Sequence, residues 1–364
     1  MLGVLTKTQE EEATVSNGIS EKQWVGIDLH LYRSVICRID AAGRQLDSVQ
    51  IDNDPKALVK EVRKAGRGAP VAIEATYGWD WAVDVLQAAK FEMHLAHPYG
   101  MKAMRKRKRV KTDAVDAYEL ANLLRLGSLP EGYISPPELR ELRELVRHRR
   151  QLTKTSTSVK AQIRALLAKH GIRLPVSCLE SQAGQDQLDV VVLPPCALGR
   201  LDSRRRLMMM LDNEIDALDV ELDKRLKTHT GYRNLLKVKG IGLVLAAIFV
   251  VEIGDVTRFG TADQVACWAG LTPRHYESDR TVRRGHISKE GCALVRWAAV
   301  ETVQRGCEPV VAKVKTDIVA RRGREARNIV KVAAARKMLE VVFYVLRDGQ
   351  ARCLAPVPAA ETAA

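Results

Sequence analysis

Two carboxylates three residues apart, Asp113 and Asp116 in Lys111-Thr-Asp-Ala-Val-Asp-Ala-Tyr-Glu-Leu120, are the sharpest chemical feature of the sequence. On a helix that spacing sends both side chains from one face, within reach of a shared metal ion. Ala114, Ala117, Leu120 and Ala121 give the same segment a small apolar surface suited to packing on a sheet. Thr112 can cap its start, and acids in a first turn also suit the positive end of the helix dipole. Acids at a helix start are ordinary for that reason, so the pair gains meaning only from its companions. Asp28 stands inside Trp24-Val-Gly-Ile-Asp-Leu-His30, and Glu74 inside Pro70-Val-Ala-Ile-Glu-Ala75. A carboxylate within an apolar strand is costly unless it is paired, hydrogen-bonded or metal-bound. Phosphodiester chemistry uses such groups to hold two divalent ions about 4 Å apart, one at the attacking oxygen and one at the leaving oxygen. Oxygen donors suit Mg²⁺ or Mn²⁺, and the lack of a nearby Cys or His cluster argues against zinc.

A second chemical candidate is Ser278, in the polar stretch between Gly270 and Gly291 with Arg274, Arg280, Arg283, Arg284 and Lys289 around it. A hydroxyl among cations can attack phosphate, because the cations stabilise the charge of the transition state. From composition alone, however, a serine in a polar loop is usually a turn residue. The stretch reads as too irregular for one helix. Arg105, Lys106, Arg107, Lys108, Arg109 and Lys111 form a basic run that leads straight into the Asp113 segment, which favours phosphate contact over a merely solvated face. Gly240 and Gly242, in Leu235-Leu-Lys-Val-Lys-Gly-Ile-Gly242 before a small-residue apolar helix, look like a helix-hairpin-helix turn, where backbone N–H groups can approach a phosphate.

The bulk properties agree with a polyanionic partner. The 364-residue chain has 58 basic and 44 acidic residues, a net charge of +14. Aromatic residues are few, which disfavours a base-stacking platform and favours backbone contacts. The seven cysteines are scattered and never form a C-x-x-C pair, which argues against a disulfide framework and a structural zinc site and favours reduced thiols. No apolar run approaches a membrane span, and no basic-then-apolar signal opens the sequence, so a cytoplasmic protein is expected.

The elements that must position these residues follow from periodicity. Strands are expected at 24–30, 34–39 and 45–51, a helix at 55–64, a strand at 70–75, a helix at 80–90, a strand at 92–96, and a helix from Lys111 onward. Three strands followed by alternating helix and strand make an α/β layout of the ribonuclease-H-like (RuvC-like) kind, in which acids fall on the first strand, the fourth strand and a later helix. From about residue 136 to 227, Leu142, Leu145, Leu152, Val159, Ile163 and Leu166, then Leu211, Ile215, Leu218, Leu222 and Leu226, repeat at three and four. This predicts two long helices forming an antiparallel coiled-coil arm, interrupted at seam positions by Arg149 and Ser156. Arg147 and Arg150 help make its first helix basic, which suits either a nucleic-acid-binding arm or a plain spacer. Helices from Ile287, from about Pro309 and from Arg327 to Leu346 complete a mainly α-helical C-terminal part. The expected boundaries are a disordered 1–21, an α/β domain at 22–132, the arm at 133–230, the helical domain at 231–350 and a disordered tail at 351–364.

Taken together, Val25-Gly-Ile-Asp28, Ile73-Glu-Ala75, Lys111-Thr-Asp-Ala-Val-Asp116 and Trp268-Ala-Gly-Leu-Thr-Pro-Arg274 leading to Gly285-His-Ile-Ser-Lys-Glu-Gly291 resemble the DEDD transposases of the insertion-sequence-110 family over roughly residues 23 to 350. The resemblance implies that Asp28, Glu74, Asp113 and Asp116 are a metal-binding tetrad. It implies that Ser278 attacks the DNA backbone and is transiently linked to a 5′ phosphate. Many relatives have glycine after that serine, whereas this chain has Asp279 and Arg280. It further implies donor and target DNA as substrates, a noncoding bridge RNA as guide, and dimers that assemble into tetramers with composite active sites. A RuvC-like nuclease that resolves junctions by hydrolysis, and a non-catalytic nucleic-acid-binding protein, are the competing readings.

Overall fold

The computed structural model describes residues 22–104, 112–175, 178–278 and 281–350, which fall into two compact units divided between Ile134 and Ser135. The first unit runs β1 (Trp24–Leu29), β2 (Arg33–Ile39), β3 (Gln45–Asp52), α1 (Pro55–Val62), β4 (Pro70–Glu74), α2 (Trp79–Ala88), β5 (Glu92–Ala96), α3 (Pro98–Met104), α4 (Asp113–Arg125) and β6 (Glu131–Gly132). Its six strands form one sheet in the order β3-β2-β1-β4-β5-β6. The β1–β4 and β4–β5 pairs are parallel and the other neighbours antiparallel. The first five strands begin and end within about a residue of their expected positions. Only the short α3 and the two-residue β6 carry no periodic signal of their own.

Side-chain alternation gives the sheet two different faces. Val25, Ile27, Leu29, Val71 and Ile73 pack on one side with Leu58 and Val62 of α1 and Val83 and Leu86 of α2. On the other side Ala72 packs with Leu120 and Leu124 of α4, and Val35, Cys37 and Ile39 pack with Ala117 and Ala121. β4 is buried along its whole length, as a strand must be when helices cover both faces, and its last residue is the carboxylate Glu74.

The second unit runs α5 (Pro137–Lys169), α6 (Gln182–Asp189), α7 (Pro195–Leu226), α8 (Thr230–Leu235), α9 (Leu243–Ile253), α10 (Ala262–Trp268), β7 (Pro273–Ser278), β8 (Thr281–Ile287), α11 (Ala293–Arg305), α12 (Pro309–Arg322) and α13 (Arg327–Asp348). α5 and α7 run antiparallel within one chain, since Arg225 meets Glu141 at one end and Arg204 meets Gln162 at the other. Val159, Ile163 and Leu166 face Leu201, Met208 and Leu211. The two seam breakers are satisfied across the pair: the Arg149 guanidinium grips Asp219, and the buried Ser156 Oγ donates to Asp212 Oδ1 at 2.9 Å. Val146, Leu222 and Leu226, near the base of the two helices, belong to the same core as α9, α11 and α13.

One expectation is corrected. The stretch after Gly270 is not one helix, as expected, but no helix starts at Ile287; β7 and β8 form an antiparallel ribbon, and the next helix starts at Ala293. Every residue of β7 is exposed, so the segment has no apolar alternation by which a strand could be read. Among the described residues all six cysteines are free thiols, and burial pushes the Cys37 thiol up to about 11. No helix among them is long and apolar enough to cross a membrane.

Candidate metal centre and serine ribbon

Asp28 lies near the end of β1 and Glu74 ends β4, the neighbouring parallel strand. The pairing Val25–Val71, Gly26–Ala72, Ile27–Ile73 sets Asp28 beside Glu74 at the next step, where neighbouring strands lie about 4.8 Å apart. Parity puts both acids on the face that α4 covers. Thr112 caps α4, its Oγ1 accepting from the Val115 N–H, so Asp113 and Asp116 fall in the first turn. What brings that turn to Asp28 is Gly26. A Cβ built there would lie 1.9 Å from the Ala117 carbonyl oxygen and 2.7 Å from the Ala121 nitrogen. The helix backbone therefore rests directly on the strand backbone, and only glycine allows it.

Asp28, Glu74 and Asp116 are buried, while Asp113 is exposed. Burial holds the Asp28 carboxyl above its usual range; His30 opposes this, and the fields of Asp116 and Asp113 add to it. The Nε2 of His30 lies 3.2 Å from Asp28 Oδ2 and 3.4 Å from Asp113 Oδ2. Among the described residues, Asp28, His30 and Asp113 form the one group whose ligand atoms all lie within 4.8 Å of one another. Glu74 and Asp116 border that group. His30 is the site residue that sequence reasoning passed over. It lies just past the end of β1, where a lone histidine carries no signal until the turn that holds it is seen.

Carboxylate oxygens gathered around an Asp28 whose burial raises its own proton affinity fit a divalent cation. A metal bound to the folded protein at a hundred times its Kd adds about 2.7 kcal/mol of stability. Thermal unfolding is therefore expected to shift upward with Mg²⁺ or Mn²⁺. In Asp28→Asn the metal-free protein should melt higher than the metal-free parent, and the metal-dependent rise should vanish. An unchanged response in that variant would place the ion elsewhere.

Ser278 is the last residue of β7 and pairs with Thr281 at the head of β8; it is exposed. Alternation puts Tyr276 on the same side as Ser278, and Arg283 lies opposite Tyr276. Arg274 is engaged at the ribbon base. Its hydrogen bond to Tyr276 and the charge of Glu290, whose Oε1 lies 3.1 Å away, hold its proton more firmly than usual. Lys289 is exposed just beyond the ribbon, and its N–H donates to the Gly270 carbonyl. The conspicuous glycines around the ribbon clamp it: a Cβ at Gly291 would meet the Trp268 carbonyl oxygen at 1.8 Å.

The remaining candidates divide. Arg147 reaches Glu252 with two bonds of 2.8 and 3.0 Å. Arg150 lies 3.9 Å over the Trp297 ring. Both guanidinium groups are thus engaged inside the unit. Gly240 adopts φ +91°, and its hydrogen faces the end of α11, where a Cβ would stand 2.3 Å from the Gly306 carbonyl oxygen. Gly242, at the N-terminus of α9, faces open space. Arg105, Lys106, Arg107, Lys108, Arg109, Lys111 and Arg280 lie outside the described residues, as does the Arg284 side chain.

Comparison with known proteins matches both units. The sequence model for DEDD transposases of the IS110 kind matches residues 25–172, which include all four acids. The model for transposases of the IS116/IS110/IS902 family matches residues 232–309, which include Ser278. A probable family 20 transposase of Pseudomonas aeruginosa is 26% identical over 88% of this chain and 92% of its own length. The transposase for insertion sequence element IS1111A of Coxiella burnetii is 24% identical over 67% of this chain and 69% of its own. A 44.8 kDa protein of insertion element IS116 from Streptomyces clavuligerus is 23% identical over 94% of this chain and 99% of its own. The class defined by the two matched parts is the insertion-sequence transposase. Within it, the chain belongs to the IS116/IS110/IS902 family.

Proposed function

We propose that the chain cuts and rejoins DNA at the ends of its element, using the carboxylates around Asp28 and Ser278 as nucleophile. The first unit is a ribonuclease-H-like, RuvC-like domain in this reading. The observation that carries it is the convergence on one sheet face of Asp28, Glu74 and the first turn of α4, held there by the bare backbone of Gly26. Bound divalent ions, two in the full site, would neutralise charge on the scissile phosphate. Asp28, Glu74, Asp113 and Asp116 would hold them. The Ser278 Oγ would form a bond to phosphorus as the bond to the 3′ oxygen breaks, the serine losing its proton and the 3′ oxygen gaining one. Its exposure at the head of an exposed ribbon supports this role, because a nucleophile must meet a bulky duplex substrate. Donor and target DNA are the proposed substrates. A bridge RNA as guide and dimers joining into tetramers enter the proposal by family resemblance, and the basic run and the arm would hold nucleic acid.

The test is to trap the intermediate. The protein, Mg²⁺, labelled DNA spanning the element junction and co-expressed flanking RNA are resolved under denaturing conditions. A covalent protein–DNA band is expected, absent in Ser278→Ala and, separately, in Asp113→Ala. Cleaved DNA without such a band, unaffected by Ser278→Ala, would replace this reading with hydrolysis by a RuvC-like nuclease.

A further inference from the structure

The loop that follows β1 is built more firmly than a surface turn needs. The His30 N–H donates to the Arg33 carbonyl at 3.0 Å, and the His30 carbonyl accepts from Asn53 Nδ2 at 2.7 Å. The same Asn53 amide reaches the Leu31 carbonyl, its backbone N–H donates to the Tyr32 carbonyl, and its Oδ1 accepts from the fully buried Ser34 at 2.6 Å. Asn53 thus ties every carbonyl of the turn to the start of the segment after β3. The imidazole carried by this rigid turn is presented to the carboxylates of Asp28 and Asp113, each within 3.4 Å of Nε2. Donor atoms so spaced can all reach one ion at bond lengths of about 2.1 Å. Such rigidity is what a ligand position requires, since the coordinating atom must be held by its surroundings rather than found by chance.

We propose that His30 is a direct ligand of the ion held by Asp28 and Asp113, and that its nitrogen tilts this position toward Mn²⁺ or other transition ions over Mg²⁺. Imidazole is a softer donor than carboxylate and binds later first-row ions better than Mg²⁺, so one nitrogen in an oxygen set changes selectivity more than affinity for Mg²⁺. Asn53 is the positioning residue: it touches no ion but fixes the turn from which His30 reaches. This inference rests on the carboxylate centre being a metal site.

Mn²⁺ is titrated into the full-length protein and followed by electron paramagnetic resonance. Frozen bound samples are then examined for coupling of the electron spin to ¹⁴N. The parent protein should bind Mn²⁺ with a nitrogen coupling. His30→Ala should bind it roughly ten-fold more weakly, lose the coupling and need less Mg²⁺ to displace the ion. His30→Gln, which offers an oxygen in place of the nitrogen, should lose the coupling while recovering part of the affinity. His30 is half-exposed, so both variants should fold. Tight Mn²⁺ binding by the parent without nitrogen coupling, or binding and coupling unchanged in His30→Ala, would overturn the assignment while leaving the carboxylate centre standing. A parent protein that binds no ion, or whose Mn²⁺ binding is unchanged in Asp28→Asn, would overturn the carboxylate centre and this assignment with it.

Discussion

Adding one methyl group at Gly26 is expected to abolish the metal response and the activity together. The new Cβ would stand 1.9 Å from the Ala117 carbonyl oxygen, a contact with helix backbone that no rotamer change can relieve. Either α4 lifts off the sheet or β1 bends away, and in both cases Asp113 and Asp116 leave Asp28. Overpacking against backbone costs about 3 kcal/mol at the upper end of its usual range. Urea unfolding should therefore show a clear fall in the stability of Gly26→Ala. The metal-dependent rise in melting temperature should be lost even where the protein still folds. Gly199→Ala is the control, for Gly199 lies within α7 with open space around it. Replacing a mid-helix glycine with alanine stabilises by about 0.5–1 kcal/mol. Gly26→Ala protein that keeps its metal response would show that the carboxylates do not depend on this contact.

Removing the Arg147 side chain is expected to destabilise the second unit by about 3 kcal/mol, the low end for breaking a buried ion pair because the guanidinium is half in water. Glu252 is 3% exposed and sits near the C-terminal end of α9, an otherwise apolar helix. Without Arg147 its carboxylate would lose two charge-assisted hydrogen bonds, with the Cys292 thiol 3.8 Å away. Arg143 works beside it, donating to the Val251 and Glu252 carbonyls at 2.9 and 3.1 Å and so satisfying the end of the same helix. The double variant Arg147→Met, Glu252→Leu should recover most of the loss, since an apolar pair of similar size removes the stranded charge. A different result would follow if Arg147 chiefly met DNA phosphates. Stability would be unchanged in Arg147→Ala, and the salt dependence of DNA binding would weaken by about one counterion.

The first unit was readable in the sequence because each of its signals is local. Alternating apolar strands, a buried run at Pro70–Glu74 and a capped helix at Thr112 each announce themselves within ten residues. Asp28 and Glu74 stood out for the same reason, as charges within apolar strands, and Asp113 and Asp116 by their spacing on a capped helix. His30 was missed because a histidine after a strand is unremarkable until the turn that holds it is seen, and that turn depends on Asn53, twenty-three residues away. The ribbon was missed for the opposite reason: with both faces exposed, its strands have no core to write a pattern into the sequence. The basic first helix of the arm was legible as charge but not as use. Whether an arginine faces phosphate or a buried Glu252 is decided by tertiary contact, and Arg147 and Arg150 both found partners inside the chain.

The two polar rungs of α5 and α7 also make the pair a ruler. Ser156 with Asp212 and Arg149 with Asp219 are each spaced seven residues apart on both helices, so sliding one helix past the other would break both rungs at once. Helices of 33 and 32 residues span roughly 50 Å at about 1.5 Å per residue. Evolution can lengthen or shorten such a device only by editing both limbs together, in steps that return every side chain to its own face. Its reach is therefore inherited in discrete sizes, and relatives should differ in arm length by whole paired repeats rather than by single residues.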